Sequence, residues 1–293
     1  MDFSKLKGKI FFENKFINSK KANIHVLNHS LHFATSVFEG IRVYSRKPLF
    51  LDEHLERLIN SAKIMKLNLG FKKKKIISIV YKIIKINKIN NGYVRPIVFR
   101  SSHSMSPDTK NCKSILSIAA WNWGRLFAKK DGVSLMVSTY PKLNKNIFPT
   151  DAKSSGSYQT AVIEKINANK KKFDDCLMLD INKNVAESTA CNVFWIKKNT
   201  MYTPSESSIL KGITRKAIIQ ICKNKKINLK IGNYKLDHIM NSDCIFLTGT
   251  AAEIQKVNKI NHKNFRKKSK IYELILSEYE KIKDNSLDHT RKI

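Results

Sequence analysis

The chain has 293 residues, 42% of them hydrophobic, with 55 Lys and Arg against 23 Asp and Glu, a formal net charge of +32. That length supports one large domain or two modest ones, and the apolar share excludes a disordered chain. No stretch approaches the run of roughly 18 apolar residues that a membrane span needs, and Met1–Lys7 lacks the apolar core of a secretory signal. A soluble, unprocessed, cytoplasmic protein is expected. The positive charge is spread along the chain: Lys82, Lys85 and Lys88, then Lys223, Lys225, Lys226 and Lys230, stand among Ile and Asn. A nucleic-acid-binding protein, the alternative from a different class, would need a contiguous basic face with interleaved aromatics. The sequence has no such interleaving, so neither nucleic acid nor membrane is expected as a partner.

Residues 9–17 alternate as a first hairpin turning at Glu13-Asn14, and residues 41–50 read as strand, turn at Ser45 to Pro48, strand. Asp52 is expected to cap a helix to about Lys66, with Leu55, Leu58, Ile59 and Ala62 at helical spacing. A second helix, about Lys74 to Asn87, carries Ile76, Ile77, Val80, Ile83 and Ile84. Asn90-Asn91-Gly92 is a turn signal, and strands are expected over 93–100 and 114–121. Residues 1–122 therefore read as a small α+β domain and 123–132 as a linker. Residues 133–293 read as a larger α/β domain, with strands at 133–138, 175–180, 193–196, 228–231 and 244–247. Its expected helices are 158–169, 214–222 and a terminal one over 269–283. Two α/β domains meeting at a linker make a natural cleft for a small ligand.

Five cysteines, Cys112, Cys176, Cys191, Cys222 and Cys244, form no CxxC pair, so neither a zinc site nor a disulfide framework is signalled. His25, His29 and His32 lie close together but have no acidic or cysteine partner, and no metal is expected. Gly212-Ile213-Thr214 opens a helix and Thr248-Gly249-Thr250 follows a strand. Both can present N–H groups or hydroxyls to a phosphate, without any dinucleotide or Walker pattern. Together they hint at a phosphorylated cofactor that is not a nucleotide.

Seven segments then occur in order: SVFEGIR (36–42), HLERL (54–58), YVRPIVF (93–99), PTDAKSSGSY (149–158), LDINKNVAEST (179–189), KGITRKAII (211–219) and TGTAAEI (248–254). The series resembles the fold-type IV enzymes that use pyridoxal 5′-phosphate, and is closest to branched-chain aminotransferases. The resemblance implies a two-domain fold, a small α+β domain and a larger, β-barrel-like α/β domain. It implies reversible amino transfer from leucine, isoleucine or valine to 2-oxoglutarate, giving 2-oxo acids and glutamate, in a homodimer or an assembly of dimers.

Carried over residue by residue, Lys153 matches the Schiff-base lysine, whose amine also serves as general base and acid. Tyr158 matches the tyrosine bonded to the cofactor's phenolic oxygen, and Glu187 the carboxylate facing the pyridine nitrogen. Arg57, Ile213, Thr214 and Thr250 match the phosphate contacts. For substrate, Tyr93 and Arg95 match the element near the carboxylate or the acidic second substrate. Thr250 and Ala251 match backbone donors to the α-carboxylate. Phe38, Gly40 and Trp123 match the apolar pocket, with Arg42 a further member. The chain departs from the pattern at Phe33, where relatives carry tyrosine, at Leu126, where an aromatic is common, and at Cys191-Asn192. These changes bear on the preferred side chain. D-amino-acid aminotransferase and aminodeoxychorismate lyase share the fold. The YVRP element speaks against the first. GTAAE and the apolar pocket speak against the second, to whose sequences ESTACNVFW is tolerably similar.

Overall fold

Glu13 and Asn14 both take left-handed backbone, φ 45° and 66°, which is what a tight two-residue hairpin requires. They join β1 (Lys9–Phe12) to β2 (Lys15–Asn18), the first expected hairpin. The structure is a computed structural model and describes residues 2–127, 129–265 and 267–285. Packing divides it into two compact units. Residues 2–124 with Ala152–Gly156 form one, and Arg125–Asp151 with the residues from Ser157 onward form the other. The segment with Lys153, expected within 133–293, thus packs with the first unit. The last eight residues of that expected range lie outside the described residues.

The first unit continues with α1 (His29–Phe33), β3 (Val37–Phe38), β4 (Ile41–Tyr44), β5 (Lys47–Pro48), α2 (Leu51–Ile64), α3 (Lys73–Ile86), β6 (Gly92–Arg100) and β7 (Ser114–Asn122). Its antiparallel sheet has the order β2-β1-β7-β6-β4-β5, and β3 also pairs with β6. Leu55, Leu58 and Ala62 of α2 and Ile76, Val80 and Ile83 of α3 pack against Val94, Val98, Leu116 and Ile118 of the sheet. Each of these larger side chains, buried in full, contributes roughly 1.5–3 kcal/mol. The expected cap is corrected: Phe50 holds the N-cap in left-handed backbone, φ 53°, and Asp52 lies in the first turn. There its charge complements the helix dipole and pairs with Lys73 at 2.7 Å.

The second unit holds β8 (Val133–Val137), α4 (Gln159–Lys170), β9 (Asp175–Leu179), β10 (Val185–Ser188), β11 (Asn192–Lys197), β12 (Thr200–Pro204), α5 (Ile213–Asn224), β13 (Leu229–Gly232), α6 (Leu236–Met240), β14 (Cys244–Gly249), β15 (Glu253–Ile260), β16 (Lys263–Asn264) and α7 (Lys270–Asn285). Six strands close on themselves in the order β10-β9-β8-β15-β14-β11, because β11 pairs back onto β10 through Glu187 and Asn192. Val133, Leu135, Leu177, Val193, Trp195, Ile245 and Leu247 share one core. The alternate residues Phe194 and Phe246 stack with centroids 5.4 Å apart, and Phe246 also meets Tyr272 of α7. Both faces of these strands are therefore buried, so they read as apolar runs rather than as alternation.

Candidate active site

Period-two alternation sorts β6. Val94 and Val98 enter the helix-backed core, so Tyr93 and Arg95 face the other side of the sheet. There Tyr93 meets Trp123 edge-on at 5.1 Å, and the Arg95 guanidinium lies 4.8 Å from the centre of the Phe38 ring. A Cβ at Gly40 would fall 1.7 Å from the Tyr93 hydroxyl, so only glycine fits. Arg42 donates to the carbonyls of Trp123 and Gly124, both at 2.9 Å, and ties the end of β7 to this face.

Lys153 joins the same group. Its carbonyl accepts from Phe38 N–H at 3.0 Å, and its own N–H donates to the Ser61 hydroxyl of α2 at 3.0 Å. Ser154 makes an isolated antiparallel bridge to Val37 of β3. The Lys153 ammonium stands 4.8 Å from the Phe38 ring centre. Phe38, Gly40, Tyr93, Arg95, Trp123 and Lys153, singled out from sequence, are thus brought onto one face.

Beneath Gly40 lies a buried ionic cluster. Glu39 is fully buried, and Arg57 donates to it through Nε at 2.6 Å and Nη2 at 3.0 Å. His54 Nδ1 is 2.7 Å from the same carboxylate, and Gly40 N–H adds a contact at 3.2 Å. Burial, the largest single influence, would raise the Glu39 carboxyl; the Arg57 charge, His54 and the hydrogen bonds from both together outweigh it and hold the group well below the usual carboxylate range. Burial pushes His54 down, against the pull of Glu39.

In the second unit Glu187 is buried on β10. Lys142 Nζ lies 2.9 Å from its Oε1, while Asn192 Nδ2 and Leu210 N–H donate to Oε2 at 3.0 and 3.3 Å. Burial, the largest single influence, opposes the charge of Lys142, but Glu187 and Tyr158 together outweigh it and raise its pKa. The Lys142 ammonium also stands 5.5 Å from the Tyr158 ring centre. Asn192 links this group to α5, because a Cβ at Gly212 would lie 1.9 Å from its Oδ1. Gly212 caps α5 without any side-chain hydrogen bond, and Ile213 and Thr214 behind it are buried. Thr250 and Ala251 lie in the turn between β14 and β15; Thr248 and Gly249, expected in that loop, are the last residues of β14. Leu126 N–H donates to the Ala251 carbonyl at 2.8 Å.

The amino-transferase class IV family model matches residues 36–260. The chain belongs to the class IV aminotransferases. Among its relatives, a probable branched-chain-amino-acid aminotransferase of Rickettsia bellii is 37% identical over 277 residues, 93% of this chain and 95% of that one. The branched-chain-amino-acid aminotransferase of Pseudomonas aeruginosa is 31% identical over 87% of this chain and 85% of its own. The branched-chain aminotransferase of Thermoproteus uzoniensis with norvaline superposes with TM-score 0.92 at 27% identity, covering 97% of both chains. The Escherichia coli enzyme superposes with TM-score 0.89 at 28% identity, covering 94% of both.

Class IV aminotransferases use pyridoxal phosphate, and the second unit fits that group on two counts. The buried start of α5 has N–H groups uncapped by any side chain, which suits a phosphate. Glu187 receives three donors, from Lys142, Asn192 and Leu210, against roughly four acceptor positions on a carboxylate, which leaves room for a ring N–H.

Four residues that carry this geometry were given no role from sequence. Lys142 is one lysine among many with no motif around it. Asn192 was noted only as a departure. Glu39 and His54 lie inside quoted motifs, and the one available signal was the three-residue spacing that sets His54 and Arg57 on one face of α2. Among the departures, Phe33 and Leu126 are exposed and Cys191 is buried against Gly249. Burial pushes the Cys222 and Cys244 thiols up to about 12 and about 11, which makes them packing groups. His29 is buried, with Nδ1 2.8 Å from the Thr35 hydroxyl and Nε2 3.0 Å from the Ser106 carbonyl.

Proposed function

We propose that this aminotransferase moves the amino group of leucine, isoleucine or valine to 2-oxoglutarate, giving branched-chain 2-oxo acids and L-glutamate. The named relatives support the substrate class. The observation that carries the reading is Arg95 beside Phe38 and Lys153, with its Nε buried and lacking a hydrogen-bond partner among the described residues. A cation at the side of an aromatic pocket serves both partners of the exchange: the rings bury a branched side chain at about 25 cal/mol per Å², and the open donor receives an acidic one.

Pyridoxal phosphate supplies an aldehyde that takes up the amino group and a ring that draws electron density from Cα. Lys153 would hold it through its amine and would serve as the general base and acid for the proton at the substrate Cα. Glu187 would face the ring nitrogen, and Tyr158 would bond the phenolic oxygen. Arg57, the N–H groups of Ile213 and Thr214, and Thr250 hold the phosphate. Phe38, Gly40 and Trp123 shape the apolar pocket; Tyr93, Arg95 and the N–H groups of Thr250 and Ala251 receive carboxylates.

The enzyme works in the cytoplasm as a homodimer or an assembly of dimers. Ile24, Val26, Leu27, Leu31 and Phe33, all exposed within residues 24–33, support a face that a second copy covers. Among the described residues, no helix is long and apolar enough to cross a membrane. Sedimentation velocity checks the assembly; a monomer at micromolar concentration removes it. An absorption spectrum before and after L-leucine tests the reaction, with D-alanine and aminodeoxychorismate as alternatives. Protein that stays colourless after pyridoxal phosphate is supplied overturns the whole reading. Turnover of D-alanine alone, or of aminodeoxychorismate alone, reassigns the substrate.

A further inference from the structure

We infer that Lys142 is a positioning residue for the reaction: its ammonium, on Oε1 of Glu187, supplies that carboxylate's counter-charge and orients it with one acceptor position open for the protonated ring nitrogen. The inference rests on the reading that Glu187 faces that nitrogen.

Four observations carry it. Two donors, Asn192 and Leu210, occupy Oε2 and fix the plane of the carboxylate, so the open position is on Oε1, the oxygen that Lys142 touches. Glu187 is the one carboxylate within ion-pair distance of Lys142 among the described residues, and the lysine is only 7% exposed. The segment before Lys142 is held rigidly. Glu164 of α4, fully buried, accepts the N–H groups of Thr139 and Tyr140 at 2.8 and 2.6 Å, and Lys142 N–H donates to the Leu179 carbonyl at 2.7 Å. Finally, Arg215 cannot take its place. Arg215 of α5 feels the charge of Glu187, but its guanidinium is committed to Glu206 at 3.1 Å and the Pro204 carbonyl at 2.9 Å. Tyr158, the other titratable group here, is 5.5 Å from the ammonium by its ring centre.

A buried carboxylate without a counter-charge takes up a proton instead. Protonated, it has no charge with which to hold a proton on the ring. Lys142 prevents this, and it does so on the oxygen that receives the ring N–H.

The test uses the full chain, loaded with pyridoxal phosphate and stripped of it, in four variants: Lys142→Met, Lys142→Arg, Glu187→Gln and Lys142→Met with Glu187→Gln. Thermal melting of the stripped protein is followed from pH 4.5 to 9. In Lys142→Met the Glu187 pKa in the folded chain rises above its unfolded value of about 4.3. Stability is then retained at the acid end and lost as pH rises through the folded value. The expected deficit at pH 8 is roughly 5–10 °C, shrinking toward pH 4.5. Lys142→Arg restores the wild-type profile, and the double variant abolishes the slope. In the loaded protein, Lys142→Met shifts the pH titration of the cofactor's absorption band by about one unit, and Lys142→Arg does not. A wild-type melting profile in Lys142→Met, or a slope that survives in the double variant, overturns the inference. If Glu187→Gln alters the band and Lys142→Met does not, the inference falls and the reading of Glu187 stands. If neither alters it, the reading of Glu187 falls and takes the inference with it.

Discussion

Each unit buries one carboxylate against a cation, and the two sites differ in what they leave over. Glu39 takes four donors, Arg57 Nε on Oε1 and Arg57 Nη2, His54 and Gly40 on Oε2, as many as a carboxylate's roughly four acceptor positions. Glu187 accepts from Lys142, Asn192 and Leu210 and keeps one position open. The cations differ as well. Arg57 stays charged wherever it is placed, whereas a lysine gives up its proton when burial is uncompensated. A saturated pair with a permanent charge suits holding an arginine in place. An unsaturated pair with an adjustable charge suits chemistry on a third group. Spare acceptor capacity, rather than burial or ion pairing alone, separates the two.

The largest effect expected on this comparison comes from outside both pairs. Lys153→Ala should lower turnover by about 10³–10⁴-fold, measured by coupled assay with L-leucine and 2-oxoglutarate, with loss of the bound cofactor's absorption band. Activity near wild type would remove Lys153 from the chemistry. Next comes Glu39→Gln. It leaves the Arg57 charge buried without a counter-ion, a cost of about 3–5 kcal/mol in denaturant unfolding. Its pH dependence has a definite sign. The folded Glu39 pKa is depressed, so its stabilisation is complete above the unfolded value of about 4.3 and is lost as pH falls through the folded value. Wild type should therefore lose more stability than Glu39→Gln between pH 5 and 3; parallel profiles would show that Glu39 is not the anion the geometry describes. Glu187→Gln is third. Because Lys142 can shed its proton, the fold should suffer less, while kcat falls by about 10²-fold. A variant that loses stability and keeps kcat would reverse the contrast between the two carboxylates.

The two regions were also unequally legible from sequence. The first hairpin, α2, α3, β6 and β7 follow from turn residues and apolar spacing; the two helices and the hairpin have one buried and one open face. The YVR spacing alone places Tyr93 and Arg95 on one side of a strand. β15 was missed, since its polar Gln255, Lys256 and Asn258 break the apolar run that marks its neighbours, although the strand is largely buried. β10 is short and lies inside a motif, and β12 is a short strand in a stretch where no element is expected from sequence. The barrel also needs β8 to pair with β15, Val133 against Val257, a long-range pairing with no local signal. The motif residues were recognisable as types, but their partners were not. Glu39 and Lys142 act by filling acceptor positions on a neighbour, or by being filled, and spacing along the chain does not record that.

The smallest effect sharpens the substrate face rather than the ion pairs. Gly40→Ala places a methyl where the Tyr93 hydroxyl sits, since an added Cβ would come within 1.7 Å of that oxygen. The tyrosine must then shift, and its ring packs against Trp123 at 5.1 Å and Trp121 at 5.6 Å. We expect kcat/KM for L-leucine to fall about tenfold, or ~1.4 kcal/mol, mostly through KM. Tyr93→Phe removes the clashing oxygen. In the double variant the loss should be smaller than the sum of the two single losses, because the residues are in contact and share one cause. Strict additivity would mean that Gly40 is required for its backbone, next to the Glu39 carboxylate, and not for the room it leaves Tyr93. The site would then be shaped by the saturated ion pair beneath it, and the division of labour between holding and chemistry would extend to substrate choice.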